Sequence, residues 1–516
     1  MNKKLIIFHI FFLSVFTFLI YSNTIKGEFL FDDEHFIVRN PYIKDWSCIK
    51  EIFFTNVTSG IGFKDNFYRP LSIFVWLLIN KTFGLNPVAF HLTNIFTHIA
   101  SGLLIYLILL YLFKNRWSAF FGSAFFLVHP LQTESVSYAS GLGDLLSFLF
   151  LLIAVYSYLS LRGTKSRGNL VFYYLIFCIS AILAMLAKER AVMLVFLLPL
   201  FELSFLKPEA DKKGRILQLV TYGFVILIVA CWFYLRSTAL TSQNTFNFYS
   251  TQNIYSTNIL VRIYTFFYAF LVYMKLIIIP YPLYMERSIP VFTSLFYPQV
   301  FIGFCALLFG FILAIHSFYR KRVFFFTYFW FLIALAPTSG IVPVNALLME
   351  HWLYFSLFGV SVFIAYLVKK HNNLKNIFLV CILILGFVTF NQNRFWKNGY
   401  VFFQHTLKYN PDSIAANNNF AMALVDKGEL DKAVYHYKKA ISLNDTFPQP
   451  HHNLARIYIA KNDLKSAFKE YYRTLEINPD FVFTHQDLAN IFSQLGDKQK
   501  AEYHRKKIQE ILKTRD

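Results

Sequence analysis

Charge is scarce in this 516-residue chain. Only 15% of its residues are charged, against about 25% in ordinary globular domains. Acidic side chains are scarcest, 29 Asp and Glu against 49 Lys and Arg, for a net charge of +20. The five cysteines, Cys48, Cys178, Cys231, Cys305 and Cys381, make no disulfide framework and no metal-ligand spacing. Four of them lie in apolar segments, where a thiol behaves as a small hydrophobe. These shortages exclude intrinsic disorder, a secreted disulfide scaffold and a water-soluble enzyme. What fills the chain instead is apolar, 56% hydrophobic and 20% aromatic. The runs Leu5–Tyr21, Val88–Phe113, Leu145–Leu161, Leu170–Ala187 and Ile216–Leu235 approach or exceed the ~18–20 residues that cross a bilayer. The composition is that of a polytopic membrane protein.

A charge of +20 resembles a nucleic-acid signature, but in a membrane chain the distribution of Lys and Arg decides. Spans are expected near 5–22, 88–113, 117–130, 143–161, 170–187, 190–206, 216–235, 299–317, 323–336, 351–368 and 376–391. The first follows Lys3 and Lys4 and lacks a small-x-small cleavage site, so it reads as uncleaved. Pro70–Phe83 is apolar but short, which suits the interface. The stretch 263–279 contains Lys275 and is read as re-entrant or interfacial. With this assignment the clusters Lys3/Lys4, Lys114/Arg116, Arg162/Lys165/Arg167, Lys207/Lys212/Lys213/Arg215, Arg320/Lys321/Arg322 and Lys369/Lys370/Lys375 share one side. The positive-inside rule makes that side cytoplasmic. The N-terminus is then cytoplasmic, and the C-terminus lies outside with the first loop, 23–87. Outside means the periplasm or extracellular space, or the lumen of the endoplasmic reticulum in a eukaryote.

From about Arg394 the character changes. Ala421, Ala455 and Ala489 recur every 34 residues, as do Ala433, Ala467 and Ala501, and Gly428, Asn462 and Gly496. That period, with small residues at two fixed offsets, is the tetratricopeptide (TPR) signature. Repeats are expected near 414–447, 448–481 and 482–515, after a joining helix over Phe395–Tyr409. The expected fold is therefore all-α: a polytopic transmembrane helical bundle of about 11 spans over 1–393, then a soluble α-solenoid over 394–516.

Acidic residues of the membrane half gather at the outer ends of spans: Asp32, Asp33 and Glu34, then Glu134, Asp144, Glu189, Glu286 and Glu350. A charge at membrane depth costs roughly 2.5–3.5 kcal/mol on the insertion scale unless paired or hydrated. Carboxylates at one face, with Lys188, Arg190, Arg69 and Lys275 among them, point to a polar cavity. His91 and His98 share one face of the second span, where interhelical hydrogen bonding is the commoner role. Asn56-Val57-Thr58 fits a glycosylation acceptor facing outward.

Several motifs occur in order: Phe31-Asp32-Asp33, Asn40-Pro41, Tyr68-Arg69-Pro70-Leu71, Gly84-Leu85-Asn86-Pro87, His91-Leu92-Thr93-Asn94, His129-Pro130, Thr133-Glu134-Ser135-Val136, Asp144-Leu145-Leu146, Lys188-Glu189 and Met349-Glu350. With the repeats, they resemble the transmembrane-and-TPR O-mannosyltransferases and their prokaryotic relatives, which belong to the GT-C glycosyltransferases. The resemblance implies a GT-C-like catalytic domain, a polyprenyl-phosphate sugar as co-substrate and mannose as the sugar. It also implies that the acidic pair of the first outer loop, here Asp32 and Asp33, is catalytic. Leu142, Arg190, His351 and Ser356 depart from the family pattern.

The chemistry follows from the donor. A sugar on a polyprenyl phosphate has a leaving group that is already a stable anion. It needs no general acid, unlike a glycosidase with its two carboxylates. One carboxylate, Asp32 or Asp33, takes the proton of the attacking hydroxyl. Lys188, Arg190, Arg69 and Lys275 are candidates to hold the phosphate. His91, His129, Glu134, Asp144, Glu189, Glu286 and Glu350 are candidates to line the substrate cleft. No further ligand is spaced to make a divalent metal site of the aspartate pair. The repeats would hold a protein acceptor in their concave groove. Two other readings compete: a membrane-anchored TPR scaffold without activity, which would not need Asp32 or Asp33, and a transporter, which would place carboxylates near mid-bilayer.

Overall fold

The computed structural model describes residues 3–61, 66–163, 167–206, 212–240, 253–344 and 346–513. Lys165 and Lys207 of the basic clusters lie outside them. Among the described residues every regular element is helical, and the chain divides into two compact units, Met1–Lys397 and Asn398–Asp516.

Counting helices longer than ten residues, the first unit contains α1 (Lys3–Tyr21), α2 (Pro70–Phe83), α3 (Pro87–Phe113), α4 (Arg116–Val128), α5 (Leu142–Gly163), α6 (Arg167–Ala187) and α7 (Leu194–Phe205). They are followed by α8 (Lys212–Leu240), α9 (Ile259–Ile278), α10 (Pro298–Phe318), α11 (Val323–Leu335), α12 (Leu353–Lys370) and α13 (Leu374–Asn393). Nine helices among the described residues are long and apolar enough to cross a membrane, and eight of these coincide with expected spans. The ninth is α9, expected to be re-entrant, whose length and composition alone suit a crossing. The expected spans at 117–130, 190–206 and 323–336 form the helices α4, α7 and α11, of only 13, 12 and 13 residues.

Contacts between helix ends define two faces of the bundle. At one face Asn23 donates to the Phe390 carbonyl (2.7 Å) and Asn393 to that of Ile20 (3.0 Å), joining the ends of α1 and α13. The end of α4, the start of α5, the end of α6 and the start of α12 meet there too, around one cavity. Both ends of α9 reach the same face. Arg262 donates to the Gly340 carbonyl (2.5 Å) just beyond α11, and the Ile277 carbonyl bonds His129 (3.0 Å) just beyond α4. The turns α3–α4, α10–α11 and α12–α13 and the end of α5 lie at the opposite face. These stretches carry Lys114 and Arg116, Arg320–Arg322, Lys369–Lys375, and Arg162.

Local sequence explains the helix starts. Asn86 and Asn115 accept the N–H groups of Val88 and Ser118 through their side chains, and Pro87 needs no donor at the first helical position. The centre is aromatic: Phe126, Phe148, Tyr354 and Trp330 are all buried.

The second unit opens with α14 (Gly399–Tyr409). Three antiparallel pairs follow: α15 (Ile414–Asp426) with α16 (Leu430–Leu443), α17 (Pro448–Ala460) with α18 (Leu464–Ile477), and α19 (Val482–Gln494) with α20 (Lys498–Lys513). The periodic alanines are where paired helices come closest; Ala421, Ala433, Ala455 and Ala467 are fully buried. Gly428, Asn462 and Gly496 close the first helix of each pair at φ of +76°, +58° and +81°. This left-handed conformation admits Gly and Asn most readily, which is why those residue types recur there.

Candidate active site

The site is assembled from the loop after α1 and a short buried segment before α5. Asp33 is fully buried, and both of its carboxylate oxygens are occupied. One accepts the Leu30 N–H (2.9 Å); the other accepts the Ser140 N–H (2.8 Å) and the Ser140 hydroxyl. The Asp32 N–H donates to the Tyr138 hydroxyl at 2.9 Å. Phe31, just before, has φ +50°, a conformation uncommon for a bulky residue and held in place by the surrounding clamps. The segment carrying Tyr138 and Ser140 is pinned by Asn94 of α3, whose amide donates to the Tyr138 and Val136 carbonyls at 2.7 and 3.3 Å. A Cβ at Gly141 would lie 2.2 Å from the Ser135 carbonyl oxygen, so only glycine fits the turn that presents Ser140. With Asp33 anchored, Asp32 lines the cavity.

Burial pushes the Asp32 carboxyl up to about 6. Glu286 pushes the same way, against the opposing pull of Tyr138, Arg69 and His351. Burial likewise raises Asp33 to about 7, despite its hydrogen bonds. Both would titrate far above the ordinary aspartate range of about 3.9.

The cavity measures about 720 Å³. Lys188, just beyond α6, places Nζ 2.6 Å from Asp144, and Arg190 approaches the other oxygen of Asp144 at 3.5 Å. Arg190 also donates to the Trp352, Ala334 and His351 carbonyls at 2.5, 3.3 and 3.4 Å. Arg69 grips Glu189 with two bonds, 2.6 and 3.0 Å. Burial alone would raise Glu189, but the Arg69 guanidinium outweighs it and holds the carboxyl down to about 2. On the far wall Glu134 accepts the His351 N–H (2.9 Å) and faces its Nδ1 at 2.6 Å.

Of the residues expected from sequence, Asp32, Arg69, Glu134, Asp144, Lys188, Glu189, Arg190 and Glu286 line this cavity. Five others do not, each for a visible reason. Asp33 is sealed in its clamp. His91 is buried in α3 against Gly27. His129 is buried and bonded to Ile277. Glu350 is buried, accepting the Tyr284 N–H and the Arg287 guanidinium, each at 2.9 Å. Lys275 is exposed on α9, outside the lining. Asn56 is also buried, with its side chain accepting the Thr58 N–H, so the glycosylation triplet is covered in the folded chain. His98 bonds Tyr354 (2.8 Å) and the Leu127 carbonyl (3.0 Å), an interhelical tie.

Sequence reasoning passed over Tyr138, Ser140 and Arg236 and noted His351 only as a departure from the family pattern; all four are in the lining. Arg236 had a usable signal, a lone charge near the end of the apolar helix α8. Tyr138 and Ser140 had none. Among the described residues no group of three His, Cys, Asp or Glu side chains could hold a metal ion.

Comparison with known proteins gives the following. Residues 421–458 match the family described as TPR repeat, and 448–481 that described as tetratricopeptide repeat. Human protein O-mannosyl-transferase TMTC1 is 32% identical over 212 residues, covering 38% of this chain and 24% of the relative. Protein O-mannosyl-transferase F38B6.6 of Caenorhabditis elegans is 24% identical over 83% of this chain and 62% of its own length. Mouse protein O-mannosyl-transferase TMTC3 is 25% identical over 81% of this chain and 49% of its own. In each, the chain spans less than two thirds of the relative. A crystal structure of ArnT from Cupriavidus metallidurans bound to undecaprenyl phosphate superposes with a TM-score of 0.41 at 13% identity, over 95% of this chain and 81% of that one, too weak a likeness to bear on function. With alignments over 81–83% of its length and repeats recognised independently at its C-terminal end, the chain resembles the transmembrane-and-TPR protein O-mannosyltransferases.

Proposed function

We propose that this chain is a membrane glycosyltransferase that moves a mannose-like hexose from a polyprenyl phosphate to a hydroxyl of a protein acceptor. The observation that carries the reading is one cavity that holds Asp32 together with Lys188, Arg190 and Arg69. Asp32 is the general base: it accepts the acceptor's hydroxyl proton as that oxygen bonds to C1 of the sugar. The bond from C1 to the phosphate oxygen breaks, its electron pair leaves with the polyprenyl phosphate, and the anomeric configuration inverts. The cations stabilise the charge that gathers on the phosphate. Asp33 serves as the anchor that aims Asp32.

The basic turns lie at the face opposite the cavity, and the positive-inside rule makes them cytoplasmic. The cavity then opens on the exoplasmic side and the N-terminus is cytoplasmic. With α9 kept at the cavity face, the C-terminal repeats are exoplasmic as well. There they would bind an extended segment of the protein acceptor.

The test uses membranes containing the full chain, a polyprenyl-phosphate mannose and candidate acceptor proteins. Wild type should transfer the sugar, while Asp32→Asn should lose about 10²–10⁴-fold of the rate with unchanged membrane insertion. Transfer by Asp32→Asn at the wild-type rate would sink the reading and favour an inactive scaffold.

A further inference from the structure

Two loops of the cavity are built on one plan. In the first, the buried carboxylate of Asp33 captures the N–H groups of Leu30 and Ser140, and its neighbour Asp32 lines the cavity. The second is the loop after α9. There the buried Glu350, just before α12, accepts the Tyr284 N–H and the Arg287 guanidinium at 2.9 Å each. Arg287 also donates to the Pro282 carbonyl at 2.6 Å and lies over the Tyr284 ring at 4.2 Å. Met285 is buried. The residues on both sides of Glu286 are therefore held, and Glu286 itself lines the cavity. Its φ is +58°, and that of Phe31, just before Asp32, is +50°; both are left-handed conformations uncommon for side chains of this size. Backbone strain of this kind persists where the surroundings over-determine it, and it gathers at ligand sites.

The charges of the cavity say what Glu286 can meet. Its acidic lining consists of Asp32, Glu134, Asp144, Glu189 and Glu286. Asp32 is the base of the reaction above. Glu134 faces His351 at 2.6 Å, Asp144 receives Lys188 and Arg190, and Glu189 receives Arg69. Arg236 reaches the Asn66 carbonyl at 3.4 Å. Glu286 is the carboxylate for which that reaction has no use. It stands with Asp32: burial raises the Asp32 carboxyl, and the charge of Glu286 adds to the rise. The phosphate belongs with Lys188, Arg190 and Arg69, and beside two acids it would be repelled. What remains for Glu286 is the uncharged part of the donor, a ring of hydroxyl groups between base and phosphate. A carboxylate only accepts hydrogen bonds and has room for several, so it suits neighbouring sugar hydroxyls.

Resting on the reading above, we infer that Glu286, presented by the loop that Glu350 and Arg287 clamp, binds the hexose of the lipid donor by accepting its hydroxyl groups. No bond of the reaction forms or breaks at Glu286. It fixes the sugar ring with C1 between Asp32 and the cations, and it favours hexoses that carry hydroxyls where its two oxygens reach. Glu286 therefore selects the sugar, while Asp32 and the cations would serve any polyprenyl-phosphate glycoside.

The probes are undecaprenyl phosphate, which has no sugar, and undecaprenyl-phosphate mannose, each titrated into the full-length protein in nanodiscs. Glu286→Gln keeps the shape and loses the charge. It should bind the sugar-free lipid at least as tightly as wild type and the mannosyl lipid about tenfold more weakly. Glu286→Ala should extend that loss to roughly 10–100-fold, the range of a hydrogen bond to a charged group. Mannosyl donors lacking one hydroxyl each then locate the contact. Wild type should lose a similar factor against at least one of them, and Glu286→Ala should bind that analogue and the parent alike. Where Glu286→Ala does not fold, Glu286→Gln carries the same comparison. Equal losses for both lipids in Glu286→Gln, or mannosyl-lipid binding at the wild-type level, would overturn the inference and leave the proposed function standing. So would a raised acceptor KM with donor binding unchanged, which would put the contact on the acceptor. No binding of either lipid by wild type would overturn both.

Discussion

The two units bury polar side chains by different rules. In the repeat unit the partners are periodic. Asn417 meets His436, His451 meets Glu470 and His485 meets His504 at 2.9, 2.6 and 2.8 Å, each pair 19 residues apart. The same three first-helix residues also reach back to the Pro411, Asp445 and Pro479 carbonyls, six residues earlier. In the membrane unit the partners are far apart in sequence. Asp33 and Ser140 are separated by 107 positions, Arg69 and Glu189 by 120, and Glu134 and His351 by 217. A helical hairpin brings residues 19 apart together by its own geometry, whereas the cavity pairs exist only once many helices have packed. The repeat unit spends its polar contacts on reproducing one hairpin; the membrane unit gathers Asp33, Arg69 and Glu134 contacts around the cavity and places a further buried pair, Arg162 with Glu202 at 3.0 Å, elsewhere in the bundle.

That contrast can be broken by substitutions chosen on each side. The largest effect belongs to Asp32→Asn, with its loss of about 10²–10⁴-fold in rate and no change in the thermal unfolding of the repeats; a matching loss of repeat structure would erase the distinction. Next is Asp144→Asn, which leaves Lys188 and Arg190 facing each other in a buried site. Removing one partner of a buried ion pair costs about 3–5 kcal/mol, so the yield of folded membrane unit should fall sharply, read by size-exclusion recovery from detergent. Ala455→Leu tests the other unit. Ala455 is fully buried where paired helices meet, and overpacking there should cost about 1–3 kcal/mol, lowering the melting temperature of the repeats. Transfer to a small soluble acceptor should persist in this variant while transfer to a protein acceptor falls.

The smallest expected effect is electrostatic. The rate should fall as pH drops through about 6, where burial and Glu286 place the Asp32 carboxyl, because the base must be ionised to act. Glu286→Gln removes a neighbouring negative charge, so the ionised form of Asp32 becomes easier to reach and the acid limb of the rate profile moves to lower pH. A limb that stays in place would show that Glu286 does not act on Asp32 in the proposed reaction.

Legibility followed the same divide. Ala421, Ala455 and Ala489, with Gly428, Asn462 and Gly496, announce the repeat hairpins because small and left-handed residues answer to local geometry. The acids at span ends were legible too: charge is so costly within a bilayer that Asp32, Glu134, Asp144 and Glu189 stand out against an apolar background. Their partners were less so. His91 and Glu350 look like cleft residues by type and spacing, yet α3 turns His91 into the packing around Gly27, and Arg287 with Tyr284 claims Glu350. Tyr138 and Ser140 look ordinary in sequence and reach the cavity only because Asn94 and Gly141 fold their segment against the first loop.

The sequence by itself determined an all-α chain with apolar crossings and a TPR array, because hydropathy, helical period and the 34-residue repeat are properties of neighbours along the chain. Only the tertiary structure decided which aspartate faces the cavity. Asp32 and Asp33 are adjacent and chemically identical, so nothing local separates them. The Ser140 and Leu30 N–H groups that capture Asp33 arrive from across the bundle and from the folded loop, so one carboxylate is sealed while its neighbour lines the cavity.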